Sequence, residues 1–179
     1  MDRRTFVERA LLLAAGLLVP ARVLRAETFF TIPEAQQALW GDTPLEPITV
    51  ELTREQQRAI AKASKVRVRN RTIDAWKTPE GGWFILDQVI GKHENIDLAV
   101  ALQPDGSVRG LEVITYRETY GYEIRNAKWR AQFHGKNHTE HLKLDKQIRN
   151  ISGATLSCRH VTDGINRLSH TWNLVLRHL

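Results

Sequence analysis

Cysteine is nearly absent from this chain, with Cys158 the only one in 179 residues. No intramolecular disulfide can form, so the fold is held by packing and hydrogen bonds even in an oxidising compartment. A long apolar run is also missing. The longest uncharged apolar stretch, residues 10–19, is about half the ~20 residues that a helix needs to cross a bilayer. There is no block of like charge either: 26 Lys and Arg are dispersed among 20 Asp and Glu, for a formal charge of +6. That dispersion argues against a nucleic-acid module. Internal repeats and low-complexity tracts are lacking as well, as is any legible pairing of nucleophile and catalytic base.

The first 26 residues have the three-part layout of an export signal. A twin-arginine pair, Arg3-Arg4, precedes Thr5-Phe6-Val7, the short apolar run follows, and Leu24-Arg25-Ala26 approximates a small-x-small cleavage signal. We expect a Tat-type signal peptide cut after Ala26, an uncleaved amphipathic anchor being the alternative, and a periplasmic or exported protein, either free or associated with the inner membrane. Its removal takes away five basic and two acidic residues and leaves a charge of +3. The remainder is large enough for one domain with a real core and too short for two.

Residues 31–40 read as a helix with Pro33 in its first turn and Gly41 as its stop. Pro44 and Pro47 suggest an extended connector, and Thr53-Arg54-Glu55-Gln56 is a capping box opening a second helix to about Ser64. Residues 27–81 thus form an accessory region covering one side of a sheet, in one globular unit with residues 82–179. From Val66 the periodicity becomes that of strands, with Val66, Val68, Ile73 and Ala75 alternating with polar residues and a hairpin expected around residues 69–72. Pro79-Glu80-Gly81-Gly82 is a turn signal before a buried strand at Trp83-Phe84-Ile85-Leu86. Residues 96–102 and 108–116 are strands joined through Pro104-Asp105-Gly106, and residues 127–133 are a short helix. From Leu156 to Leu176, Leu156, Val161, Ile165, Leu168, Trp172 and Val175 recur at helical spacing, which predicts an inward apolar face. The class is α+β, with a small, mostly antiparallel sheet packed with helices.

The start of that last helix carries the chemistry. A helix N-terminus has backbone N–H groups without partners, and Ser152, Gly153 and Thr155 leave room for an anion to approach them. Two roles fit these residues: a phosphate seat, or a plain N-cap by Ser152 or Thr155. Cys158 is either a low-pKa thiolate on the first turn or, more in keeping with free cysteines, a buried small hydrophobe. His134, His138 and His141 fall at i, i+4 and i+7, a metal-ligand spacing only if the segment is helical, which Gly135 and Asn137 oppose.

Gly82-Trp83-Phe84, the Pro104-Asp105-Gly106 hairpin, Arg117-Glu118-Thr119-Tyr120-Gly121, the run from Trp129 to Lys136, and Ser152-Gly153-Ala154-Thr155 with Ser157 together resemble the periplasmic FMN-binding domain. That domain occurs in the G subunit of Rnf complexes and the C subunit of sodium-pumping NADH:quinone reductases. The resemblance covers roughly residues 82–170. It implies FMN as cofactor, carried on Thr155 through a phosphoester placed by a flavin transferase. Ser152, Gly153, Ala154 and Ser157 would surround the phosphate, and Glu118 and Thr119 would face the flavin. Glu118 is otherwise a surface loop carboxylate, and Tyr116, Tyr120 and Tyr122 are expected to pack rather than stack. Arg149 stands where the family usually has an aspartate, Tyr120 where it has proline, and Glu123 where it has glycine, the marks of a separate branch. The implied function is an exported electron-transfer flavoprotein with membrane or periplasmic redox partners. A noncovalent flavin reductase and a cofactor-free accessory module are the alternatives.

Overall fold

The computed structural model describes residues 27–118 and 120–179. The export-signal reading and Thr119 lie outside the described residues.

One six-stranded sheet organises the chain. Its strands are β1 (Glu27–Thr28), β2 (Glu46–Glu51), β3 (Thr72–Lys77), β4 (Trp83–Ile90), β5 (Asn95–Leu102) and β6 (Val108–Tyr116), in the order β1-β6-β5-β4-β3-β2. Every pairing is antiparallel, so the small antiparallel α+β fold expected from the sequence is the fold observed. Three turns in succession link β3 to β6, and Gly106 closes the last of them on the Gln103 carbonyl at 2.8 Å.

Side chains alternate across the sheet because successive residues of a strand point to opposite faces. Phe84, Ala99, Ala101 and Ile114 face α1 (Ile32–Trp40), which contributes Ala35, Leu39 and Trp40. Ile85, Leu98, Val100 and Leu102 face the larger core, which is closed by α2 (Arg54–Ser64) and the 20-residue α4 (Thr155–Leu174). A short helix, α3 (Ala127–Arg130), continues as a 3₁₀ turn through Phe133. Both early helices start with a capping box, at Thr31 with Glu34 and at Thr53 with Gln56, each satisfying two otherwise unpaired backbone donors. Arg167 clamps α4 to β4 through both carboxylate oxygens of Asp87, at 2.7 and 3.0 Å.

Several expectations are corrected. Residues 69–72 form no hairpin, because β3 takes β2 as its partner, delivered by the helix between them. Leu52 N donates to the Arg71 carbonyl at 2.8 Å and extends that ladder by one step. Pro47 sits inside β2 and not in a loose connector, as an edge strand allows since one side needs no donor. On α4, Val161, Ile165, Leu168 and Trp172 are buried as predicted, but Leu156, in the first turn, is 39% exposed. His134 and His138 lie in turns and His141 in an irregular segment, not on one helix face. His138 packs against the Trp172 ring, 5.9 Å between centroids.

Candidate functional site

The chain enters α4 through a tight turn. Gly153 adopts φ +87°, a backbone region that side chains disfavour, and an added Cβ there would meet nothing within 4 Å. The space before the helix is therefore open. Ala154 is the N-cap residue and no side chain caps the helix; its first turn carries no acidic residue. The reading of Ser152 or Thr155 as a plain N-cap is thus corrected: Thr155 is the first helical residue. The N–H groups of Thr155, Leu156 and Ser157 are left without intrahelical partners, at the positive end of a 20-residue dipole. Thr155 is half-buried, and its hydroxyl accepts a hydrogen bond from Asn150 Nδ2 at 3.0 Å. Asn150 Oδ1 is buried with no partner, so this amide still has an acceptor to offer beside the hydroxyl.

The loop leaving β6 is pressed against this turn. Tyr116 is buried, donates its hydroxyl to the Tyr120 carbonyl, and lies 3.0 Å from Ser157 Oγ. Ser157 is buried too, so its hydroxyl is used in joining loop to helix. Gly121, at φ +96°, fits where a Cβ would come within 2.5 Å of the Tyr116 hydroxyl and 2.9 Å of Ser157 Oγ. Tyr116 and Gly121 therefore lie directly against Ser157 and Ala154, far away in sequence. Tyr120 and Tyr122 are 76% and 56% exposed, so only Tyr116 fulfils the expectation of packing. Leu156, on the first turn of α4, is exposed as well.

Glu118 faces the neighbouring turn between β4 and β5. Its Oε1 accepts from the backbone N–H groups of His93 and Glu94, the latter at 2.9 Å. A Cβ on Gly91 would lie 2.5 Å from that same oxygen. Burial pushes the Glu118 carboxyl up, but hydrogen bonds from the backbone of Glu94, His93 and Lys92 outweigh it and hold the group below its usual range. A carboxylate with a depressed folded pKa contributes stability that is complete above the unfolded value and is lost as pH falls through the folded one. We therefore expect Glu118→Gln to lower unfolding free energy at neutral pH by about 1 kcal/mol, the scale of one charge-assisted bond weakened. The wild-type advantage should shrink below about pH 4. Urea unfolding at several pH values measures this.

Two further residues frame the seat. Arg149 is exposed; its backbone is fixed on both sides, with the N–H on Gln132 Oε1 at 2.8 Å and the carbonyl on Trp129 Nε1 at 2.7 Å. Cys158 is fully buried, which pushes its thiol up, so it is the packed hydrophobe and not a thiolate. Native protein should resist iodoacetamide, and the same thiol should react completely in denaturant, as intact mass would report. Among the described residues no group of three His, Cys, Asp or Glu side chains is arranged to hold a metal.

Ser152, Gly153, Ala154, Thr155 and Ser157 follow one another through the turn into α4, whereas the contacts of Glu118 are with the turn at Gly91, His93 and Glu94. Sequence reasoning gave no role to Asn150 or Gly121, which this geometry makes central. A glycine between two tyrosines at the end of a strand was the available signal for Gly121; for Asn150 there was none.

A search among curated proteins finds no match to this chain. Residues 91–170 match the FMN-binding domain family, a span running from the Glu118-bound turn through most of α4 and so containing both halves of the site. On that match, the chain carries an FMN-binding domain and FMN is its cofactor.

Proposed function

We propose that the protein is an exported electron-transfer flavoprotein whose FMN is joined to Thr155 through a phosphoester. The observation that carries this reading is the environment of the Thr155 hydroxyl: first residue of an uncapped helix, bonded to Asn150, and facing open space at Gly153. Three free N–H groups and the helix dipole suit the two-fold charge of a phosphate, and no neighbouring carboxylate in that turn competes for them. In the attachment, Thr155 Oγ forms a bond to the FMN phosphorus of FAD, the pyrophosphate bond breaks, AMP leaves, and the hydroxyl proton passes to solvent or to the transferase. FMN, once held, supplies one- and two-electron chemistry. The chain's part is to seat the phosphate at α4 and to present the ring beside the exposed Tyr120, Tyr122 and Leu156, where a redox partner can approach.

A tethered flavin suits a carrier outside the cytoplasm, since a diffusible one would be lost. The partners we propose are a flavin transferase for attachment and membrane or periplasmic proteins for electron exchange. Arg149, exposed where related sequences have aspartate, favours noncovalent binding as the second reading.

Co-expression with a flavin transferase, denaturation, and measurement of intact mass and in-gel fluorescence separate the two. A mass raised by one FMN is the expected result; flavin released on denaturation supports the noncovalent form, and no flavin in either fraction sinks both. For export, Arg3→Lys with Arg4→Lys should hold the precursor in the cytoplasm. Normal secretion of that variant would remove the Tat assignment.

A further inference from the structure

We propose that a second cavity, on the flank of α4 away from its N-terminus, binds a small organic anion carrying an oxyanion head on an apolar body. This inference does not depend on how FMN is held. The cavity measures about 310 Å³ and lies between residues 65–70 and α4, with Val89 and Ile90 of β4 in its wall. Residues 65–70 precede the span matched by the FMN-binding family.

The basic wall follows from the sequence. Lys65-Val66-Arg67-Val68-Arg69 alternates cation and apolar residue; Lys65 is the left-handed cap that ends α2, and beyond it Arg67 and Arg69 turn outward while Val68 turns inward. Val68 is buried while Lys65, Arg67 and Arg69 are exposed, all three lining the cavity. The segment pairs with no strand of the sheet; it is tied to α2 by Gln57 Nε2 donating to the Val68 carbonyl at 2.9 Å and by the Val66 N–H donating to Ser64 Oγ at 3.2 Å. Thus three cations are gathered on a segment that the fold does not need for its ladder.

Across the cavity α4 presents His160, Asp163 and Arg167. Arg167 is neutralised by Asp87, and Asp163 is the one acidic residue in the lining, so Lys65, Arg67 and Arg69 leave an excess of positive charge. His160 Nδ1 is buried and has no partner in the protein. Guanidinium forks match carboxylate and phosphate oxygens in pairs, and Val89 and Ile90 supply the surface for an apolar body. The size is at the lower end of small-molecule sites, about 300 Å³ and upward. A polyanion such as nucleic acid is a poor fit, because such partners engage roughly 6–10 phosphates. A metal ion is excluded by the single carboxylate among cations. The occupant would be a neighbour of the flavin site, because Ile90 leads directly into the turn at Gly91 that Glu118 holds.

The test is calorimetric titration of the full protein, flavin-free and flavin-loaded, with benzoate, phenyl phosphate and uncharged benzyl alcohol. Benzoate or phenyl phosphate should bind in a salt-sensitive manner, and the tighter of the two names the head group. Benzyl alcohol should bind at least about tenfold more weakly, and Arg67→Gln with Arg69→Gln should weaken the anions by about tenfold or more, the scale of charge-assisted bonds. Both substitutions are on exposed positions, so an unchanged thermal melt confirms a folded variant. Three results would overturn the proposal: no binding of either anion to the wild type, binding indifferent to the double substitution, or binding abolished by FMN, which would make the cavity the flavin's own.

Discussion

Replacement of Thr155 by alanine is expected to abolish covalent flavin while leaving the fold intact. The side chain is half-buried on the first turn of α4 and caps nothing, so truncation removes a hydroxyl without opening a cavity in the core. Thr155→Ser keeps the oxygen and should keep the bond. Asn150→Ala should slow attachment by up to about tenfold, since a single hydrogen bond to the hydroxyl is worth about 0.5–1.5 kcal/mol. Intact mass against time of exposure to transferase and FAD reads all three. Covalent flavin on Thr155→Ala would mean that another residue carries the cofactor. A wild type and Thr155→Ser that both stay unmodified would leave the noncovalent reading in possession of the site.

The second large effect is expected at Gly121. Alanine there must adopt φ +96° and place its Cβ 2.5 Å from the Tyr116 hydroxyl and 2.9 Å from Ser157 Oγ. Left-handed strain costs about 1–3 kcal/mol and crowding a packed contact about 1–3 more. We expect a loss of about 2–4 kcal/mol, or roughly 5–15 °C in Tm for a domain of this size. FMN affinity should fall with it, because the displaced loop carries Glu118 and Tyr120 away from α4. Gly153→Ala is the matched control. It has a similar backbone, φ +87°, but open space around the Cβ, so it bears the strain without the crowding. If both variants lose equal stability, the contact with Tyr116 and Ser157 contributes nothing.

Local signals were the legible ones. Thr53 with Gln56 announces a helix start because both partners lie within one turn, and Pro104-Asp105-Gly106 announces a hairpin because the turn residues themselves set the backbone. The helix after Ser152 was legible from its apolar spacing and the FMN-binding domain from its short motifs. What failed was long-range. Nothing near residues 69–72 tells the chain that β3 will meet β2 across a helix, so the alternation of Val66 and Val68 looked like half of a hairpin. The exposure of Tyr120 and Tyr122 depends on Tyr116 alone turning into the gap at Ser157. That Glu118 closes a turn 24 residues earlier in the chain is likewise a fact of tertiary structure.

The turn at Thr155 and the loop it faces come from two pieces far apart in the chain. The loop after β6 belongs to a succession of hairpins, β3 to β6, whose neighbours in space are neighbours in sequence. Such contacts close quickly. The other piece comes with α4, the last long helix along the chain, which meets the loop through a contact between Tyr116 and Ser157, 41 residues apart. Until α4 docks, Tyr116 and Ser157 are apart and Thr155 has no loop opposite it. Under the attachment proposed at Thr155, loading of the cofactor would therefore report completion of the fold, since the hydroxyl gains its opposing loop only when α4 is docked.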